Sequence, residues 1–286
     1  MTLRVCREVT RVMVFARKQG MSLLLIAMLI AGASGEVNAE DSFRLFPSSR
    51  FFTGLDWGYY YVSGEFLVPA GGRPGSGSKI DAYSDLGISQ TEAVTLTLDG
   101  TVFDDHFFNL EYTMFMPSGL RRITRDFLFH NRLYSTGTLI DSKIDFNWLR
   151  LFYCYRVYED GALRISPGFG LNHVRFGATL NSATEEGDFL SNSRRLDITY
   201  PTLGVETRFL APHGLDFRWQ FEAMSLITRG FVTFLKASAN WEIYPDINIS
   251  FSVSNRMTQS VEDNQELNNE WMFSFTGLSA GIAFGF

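Results

Sequence analysis

The sequence predicts an all-β protein, an antiparallel up-and-down transmembrane β-barrel of about ten strands. Three observations support this prediction. Apolar and polar residues alternate along ten segments, the period of a strand with one face in an apolar environment. The connections are alternately short and long, and the polar faces carry charged side chains. No stretch after residue 39 approaches the roughly 18 consecutive apolar residues of a transmembrane helix, which excludes spans of that kind.

The N-terminal residues 1–39 are predicted to be a cleaved secretory signal. Basic residues between Arg4 and Lys18 precede a short apolar run, Met21–Ala31, and Val37-Asn38-Ala39 has the small-residue pattern of a cleavage site. The apolar run is shorter than the ~20 residues that a membrane anchor needs. The rest of the chain is expected to form a short periplasmic N-terminal segment and a barrel, over residues 40–50 and 51–286.

Composition disfavours nucleic acid as a partner. The chain carries 25 Lys and Arg against 31 Asp and Glu, whereas a nucleic-acid-binding protein presents a basic face. The aromatic share of 15% is high for a soluble domain. After residue 39, Cys154 is the only cysteine and has no Cys or His neighbour at metal-ligand spacing. We therefore expect a small buried thiol and no metal or other cofactor.

The first half of the barrel is predicted from five alternating segments, of which the fourth is irregular. In that segment the apolar face of Ile144, Phe146 and Trp148 changes parity to Leu149 and Leu151. A β-bulge near Trp148 would restore the alternation. The five predicted strands are 51–68, 92–102, 106–116, 140–157 and 163–178.

The second half alternates more regularly. The seventh segment sets Leu215, Phe217 and Trp219 on one face against Asp216 and Arg218 on the other. The chain closes on a strand that ends in an aromatic residue. The five predicted strands are 194–210, 215–223, 231–243, 246–256 and 278–286.

The connections predict which end of the barrel faces the periplasm. Turn residues occupy three short connections: Glu159-Asp160-Gly161, Pro212-His213-Gly214 and Pro245-Asp246. Outer-membrane barrels place short turns in the periplasm and longer loops outside. Both termini are therefore expected in the periplasm. The long connections, predicted to be external loops, are 69–91, 117–139, 179–193 and 257–269.

Charged residues on the polar strand faces distinguish a membrane barrel from a secreted β-sandwich or a lipocalin-like barrel, the alternative folds. Charges in a dry soluble core are costly unless they are paired, whereas they fit a polar lumen that is lined by the inner faces of a membrane barrel. The residues predicted to line the lumen are Glu111, Arg218, Glu222, Lys236 and Glu242.

No enzymatic site is predicted. Asp104-Asp105-His106 is the only adjacent Asp/His cluster, but the predicted topology places it in a periplasmic turn. An outer-membrane hydrolase of the omptin or lipid A deacylase type would need its site at the outer end. His173 lies nearer that end, without a local nucleophile at the required spacing.

The loop 117–139 is rich in arginine. These side chains could neutralise lipopolysaccharide phosphates at the outer leaflet, or they could belong to an ordinary amphipathic loop that folds over the barrel mouth. The candidates for lipopolysaccharide contact are Arg121, Arg122, Arg125 and Arg132.

The ending Phe284-Gly285-Phe286, together with the signal, resembles small bacterial outer-membrane β-barrels of the superfamily that includes the OmpA transmembrane domain and OmpW-like proteins. Asp85-Leu86-Gly87-Ile88 is similar to a stretch in members without assigned activity. The resemblance implies that Phe284 and Phe286 are an assembly signal read by the barrel assembly machinery, and that lipid and lipopolysaccharide surround the barrel.

The sequence therefore predicts a non-enzymatic, monomeric outer-membrane barrel, either structural or a narrow passive channel for small solutes. A surface module that binds a partner or lipopolysaccharide through its long loops is a second hypothesis. An outer-membrane hydrolase is the third.

Overall fold

The computed structural model describes residues 50–67, 77–102, 105–129, 132–183, 189–226, 230–264 and 267–286. The predicted signal and nearly all of the predicted N-terminal segment lie outside these residues. The described chain contains no helix that is long and apolar enough to cross a membrane. Its strands are β1 Arg50–Leu67, β2 Lys79–Asp81, β3 Gln90–Val102, β4 His106–Phe115, β5 Ser118–Arg122, β6 Phe127–Phe129, β7 Arg132–Tyr134, β8 Leu139–Tyr155, β9 Tyr158–Asp160, β10 Leu163–Ala183, β11 Phe189–Ala211, β12 Leu215–Leu226, β13 Gly230–Tyr244, β14 Ile247–Asn264 and β15 Leu267–Gly285.

Ten of these strands form a closed antiparallel barrel, which confirms the predicted fold class. The first strand closes the ring: β1 pairs with β3 on one edge and with β15 on the other, from Phe52 opposite Gly285 to Leu67 opposite Glu270. Closure removes the unpaired sheet edges that would be costly in lipid. In ring order, the barrel strands are β1, β3, β4, β8, β10, β11, β12, β13, β14 and β15.

Two predicted external loops are instead strand. β10 continues to Ala183 and β11 begins at Phe189, so most of 179–193 belongs to a long hairpin. β14 and β15 likewise fill most of 257–269. The strands therefore run well past their predicted ends. At the opposite end the connections are tight, with His213 and Asp246 at positive φ.

The bulge predicted near Trp148 is absent, because β8 keeps an uninterrupted register with both β4 and β10. Trp148 points into the barrel and Leu149 points out of it, as normal alternation requires. The change in the apolar pattern has another cause. Near one end of the strand the apolar side chains face outward, and near the other end they face the interior of the barrel.

The end of the barrel that carries the tight turns, here called the membrane half, is apolar outside. Its outward side chains form a belt around the ring and are exposed to the surroundings. A belt of this kind, rich in aromatic residues, is the lipid-facing band of a transmembrane barrel. The belt includes Leu55, Trp57, Leu151, Phe169, Leu203, Trp219, Leu235, Phe251, Leu278 and Ile282.

The other end, here called the outer half, reverses this arrangement. Most of its outward side chains are polar, as at Lys143, Asp145, Arg175 and Asp197. Its interior is an aromatic core in which rings meet at centroid distances of 4.2–6.3 Å. Core members are Tyr60, Phe66, Phe115, Phe146, Trp148, Phe176, Tyr200, Trp271, Phe273 and Phe275.

Residues 77–89, 116–129 and 132–138, here called the lid, cover the outer half. Leu86, Ile88, Phe127 and Phe129 are fully buried and belong to the same hydrophobic cluster as the aromatic core. Phe129 meets Phe66 of β1 at 6.0 Å. The described parts of the two connections predicted to be long loops here thus fold inward as part of the core.

Candidate functional site

The centre of the barrel holds a buried ion cluster built from facing strands. Glu111 of β4 lies directly opposite Arg150 of β8 in the strand register. Arg150 Nε donates to Glu222 Oε1 of β12 at 2.5 Å, and Arg150 Nη1 lies 3.7 Å from Glu111 Oε1. All three side chains are essentially inaccessible to solvent. One guanidinium thus connects two carboxylates across the barrel.

Each carboxylate of this cluster has further partners. Glu111 accepts from Lys236 Nζ at 2.8 Å and from Arg256 Nη2 at 3.0 Å. The second oxygen of Glu222 accepts from Thr202 Oγ1 at 2.8 Å and from Asn172 Nδ2 at 3.2 Å. Buried charges persist only when they are paired and hydrogen-bonded in this way.

A second polar cluster lies nearer the tight turns. Arg218 Nη1 donates to Asp99 Oδ1 at 3.2 Å. Glu206 accepts from Arg208 Nε at 2.6 Å and from Gln220 Nε2 at 2.5 Å. Asn109 links the two clusters, since its amide nitrogen donates to Asp99 at 2.9 Å while its oxygen accepts from Arg150.

Aromatic rings cover the charges on the outer side. The ring of Phe234 lies between two guanidinium groups, 4.1 Å from that of Arg150 and 5.0 Å from that of Arg256. Arg256 also lies 5.9 Å from the ring of Trp148. Its Nε and Nη1 have no hydrogen-bond partner among the described residues, and the faces of these rings partly compensate through cation–π attraction. The polar and aromatic layers are therefore packed directly on each other.

The structure places four of the five predicted lumen residues, Glu111, Arg218, Glu222 and Lys236, inside the barrel. Glu242 instead lies at the exposed rim near the tight turns, 3.5 Å from Arg50, which also contacts Asp246 at 3.1 Å.

Sequence reasoning missed seven charged residues of the interior. Most of them alternate with outward apolar residues on their strands, and that position was the available signal. The missed residues are Asp56, Asp99, Arg150, Glu206, Arg208, Asp216 and Arg256.

The arginines predicted to contact lipopolysaccharide all have partners inside the lid. Arg125 donates to both carboxylate oxygens of Asp85, from Nε to Oδ1 at 3.0 Å and from Nη2 to Oδ2 at 2.5 Å. Arg121 donates to the carbonyl of Tyr83 and Arg122 to that of Gly137. Arg132 lies over the ring of Tyr134. These contacts join the two lid segments to each other and to their own turns.

Nearby, the lid turn is fixed by Asp126. Its carboxylate accepts hydrogen bonds from the backbone N–H and the hydroxyl of Thr136, at 2.6 and 2.8 Å. These bonds favour the ionised form, so they hold the pKa of Asp126 below its usual range.

His106 and His173 lie away from the mouth of the barrel. His173 is on the outer wall, with Nδ1 2.9 Å from Thr199 Oγ1. His106 lies near the tight turns with Nδ1 2.5 Å from the hydroxyl of Tyr153, and the neighbouring Asp105 pairs with Arg156. Asp104 and His130 lie outside the described residues. The described chain contains no group of three or more His, Cys, Asp or Glu side chains that could hold a metal.

The terminal strand carries the predicted assembly residues at the seam of the barrel. Phe284 and Phe286 point outward, and the Phe286 ring stacks on that of Phe51 at 6.0 Å. The backbone N–H of Phe286 donates to the Phe51 carbonyl at 2.9 Å.

Comparisons with known proteins identify the fold. No protein family matches the chain, and no curated protein does. Among solved structures, the outer-membrane protease OmpT from Escherichia coli aligns with a TM-score of 0.55 and 10% identity, over 86% of this chain and 99% of OmpT. OprG from Pseudomonas aeruginosa aligns with a TM-score of 0.34 and 10% identity, over 86% of this chain and 99% of OprG. Ail from Yersinia pestis aligns with a TM-score of 0.34 and 11% identity, over 82% of this chain and 99% of Ail. The closed barrel and its exposed apolar belt belong to an integral protein of the bacterial outer membrane.

Proposed function

We propose that this protein is a sealed, non-enzymatic barrel with a structural role in the outer membrane, and that it is not a passive channel. The observation that carries the proposal is the filling of its interior at two successive levels. The ion cluster occupies the membrane half, and the aromatic core occupies the outer half.

The ion cluster blocks the first level. A hydrated ion that passed through would have to separate Arg150 from Glu222 and Glu111, all three fully buried. Removing one partner of a buried pair typically costs about 3–5 kcal/mol. The two polar clusters and their neighbours hold six carboxylates and five cations among the described interior residues. The carboxylates are Asp56, Asp99, Glu111, Glu206, Asp216 and Glu222, and the cations are Arg150, Arg208, Arg218, Lys236 and Arg256. The interior charge is therefore nearly balanced and offers little attraction to a solute of either sign.

The aromatic core blocks the second level. Phe115 stacks on Phe275 at 4.2 Å, and Phe146 lies 4.6 Å from the same ring. Phe146, Trp148, Phe176 and Phe273 are fully buried. A passage would require several of these rings to leave a close-packed arrangement.

Conductance in a planar bilayer tests the proposal. The refolded protein and its Glu222→Gln variant are inserted after a heat-dependent gel shift confirms folding, beside a general porin as positive control. Both proteins are expected to be silent. A variant that lacks residues 119–137 should also be silent, because the ion cluster and most of the aromatic core remain. Discrete openings in the unmodified protein, with an ion preference that Glu222→Gln alters, would contradict the proposal and favour the narrow channel.

A surface interaction module is the second candidate function. It is supported by the outer half, whose polar outward wall carries exposed Arg195, Asp197 and Thr199 on β11. If the lid carries the interaction, binding of whole cells to a partner or to lipopolysaccharide should be lost on deleting 119–137 while the gel shift is kept. If binding survives that deletion, the lid is not the contact surface.

A further inference from the structure

Within the part of the chain that the structure describes, one barrel strand has a long edge that pairs with no other strand. β11 pairs with β10 along its whole length, from Leu163 opposite Phe209 to Ala183 opposite Phe189. Its pairing with β12 runs only from Ala211 to Leu203. Among the described residues, no strand pairs with the other edge of β11 from Phe189 to Thr202.

Two features of the sequence cause this gap. The β12–β13 hairpin turns between Leu226 and Gly230, whereas the hairpins on both sides of it continue further outward. Pro201 lies two residues before Leu203, where the β11–β12 pairing ends, and proline has no N–H to donate to a ladder. The pairing of β11 with β10 continues without interruption past Pro201. The N–H that proline lacks is therefore missing on the other edge of β11, which faces β12. The wall of the outer half therefore has a notch between β11 and β14.

The notch is apolar inside and polar outside. Leu196 and Ile198 of β11 and Met224 of β12 are only partly buried where they pack against the aromatic core. The hydroxyl of Tyr200 reaches across to the backbone carbonyl of Gln259 on β14, at 2.6 Å. The outward side chains Arg195, Asp197 and Thr199 are exposed. A strand placed here would meet apolar side chains on one face and water on the other.

We propose that the free edge of β11 binds an extended polypeptide segment of a partner protein at the cell surface, by strand addition. An edge strand presents a row of unpaired N–H and C=O groups, which an extended peptide satisfies with its own backbone. The segment that fits alternates: its inward residues are apolar, to cover Leu196, Ile198 and Met224, and its outward residues are polar.

A second copy of this chain does not fit the edge. Two barrels in one membrane point the same way, so a twofold axis along the membrane normal relates them. With such an axis, both copies of β11 run in the same direction across the membrane. The angle between the two strands is then twice the tilt of each strand from the axis, about 70–90°. Two flat edges cannot form a ladder at that angle, whereas an extended peptide adopts the tilt of β11.

This inference goes beyond the sealed barrel and does not depend on it, since the notch lies in the wall of the outer half and conductance concerns the interior. A protein that conducts ions could still bind a strand, and a silent one could fail to.

Peptide binding to the folded, detergent-solubilised protein tests the site. The probe is a fluorescein-labelled peptide of about eight residues that alternates Val with Thr, with a terminal Lys for solubility. Two control peptides carry N-methyl groups, one on every Val and the other on every Thr. Alternate residues direct their N–H groups to opposite edges of a strand, so only one control blocks the edge that faces β11.

The unmodified peptide is expected to give saturable fluorescence anisotropy. One methylated control should bind at least about tenfold more weakly, and the other should bind within about twofold, because only one set of backbone hydrogen bonds is lost. Thr199→Pro, with its gel shift intact, should abolish binding. If that variant does not fold, the two methylated controls still decide.

Three results would overturn the proposal. The first is no binding of the unmodified peptide, and the second is an equal response to both methylated controls, which indicates adsorption to apolar surface. The third is a dimer of the protein alone, seen by sedimentation in detergent, that Thr199→Pro disperses; this would assign the edge to a second copy.

Discussion

In the membrane half of this barrel, inward side chains are polar and outward ones are apolar, whereas in the outer half the same strands reverse both. β8 shows the change within one strand: Arg150 points inward and Leu151 outward, while Phe146 points inward and Lys143 outward. The backbone register does not change between these positions. The comparison teaches that the medium outside the wall, and not the fold, decides which face of a strand is apolar.

The largest effect is expected from breaking the ion cluster of the membrane half. Arg150→Met leaves Glu111 and Glu222 buried without their shared cation, so the free energy of unfolding should fall by about 3–5 kcal/mol. Urea titration in detergent, followed by the gel shift, measures it. The matched control is Arg50→Met at the exposed rim, where the loss should stay below about 1 kcal/mol. Equal losses would show that burial of the cluster has little energetic weight.

The aromatic core of the outer half should give the next largest effect. Phe146→Ala removes a fully buried ring and leaves a cavity, so we expect a loss of about 3–5 kcal/mol in the same titration. Phe251→Ala removes an outward ring of the membrane half. There the loss should be about 2 kcal/mol, because lipid or detergent fills the space and no cavity remains. A larger loss at Phe251 than at Phe146 would reverse the comparison.

The outward faces can be compared on one strand. Leu151→Arg places a charge in the lipid-facing belt and should reduce the free energy of unfolding by about 2–4 kcal/mol if the site lies near the middle of the bilayer. Asn147→Arg, two residues beyond Leu149 toward the outer half, loses the hydrogen bond that Asn147 Oδ1 accepts from the Tyr112 hydroxyl and should change it by no more than about 1 kcal/mol. Unfolding from lipid vesicles is the measurement. Similar costs at both positions would place the membrane boundary further out than we infer.

The smallest global effect is expected in the lid. Arg125 is half exposed, but Asp85 is buried, so Arg125→Ala leaves a buried carboxylate without its cation. The loss for the whole barrel should be about 1–3 kcal/mol. Local opening should nevertheless expose the lid to protease. Mass spectrometry of the fragments measures this cleavage. Arg122→Ala, which loses one bond to a backbone carbonyl, is the control with a smaller change. Unchanged cleavage in Arg125→Ala would show that the buried lid side chains alone hold it closed.

The barrel, its strand number and most strand positions in the membrane half could be predicted, because lipid outside and charge inside give a strict alternation. The strand positions of the outer half could not be predicted, because a segment with polar outward side chains has the composition of a loop. That is why 179–193 and 257–269 were predicted as loops, and why Trp148 suggested a bulge.

The ion cluster was predicted in part for the same reason. Glu111 and Glu222 stand out on polar faces between outward apolar residues. Arg150 follows directly on the apparent change of parity, and Arg256 lies where the alternation was thought to end. Which carboxylate meets which cation depends on pairing across the ring, and no pattern within one strand contains that information.

The reversed polarity of the outer half also constrains how the protein reaches its final position. Lys143, Asp145, Arg175 and Asp197 stand on a wall that lies beyond the bilayer and is reached from the periplasm. Carrying each charged side chain through hydrocarbon costs roughly 2.5–3.5 kcal/mol, so a finished barrel cannot slide across. The outer half of the hairpins therefore has to cross the bilayer before the barrel closes. The aromatic side chains of the outer half then pack together only after that crossing.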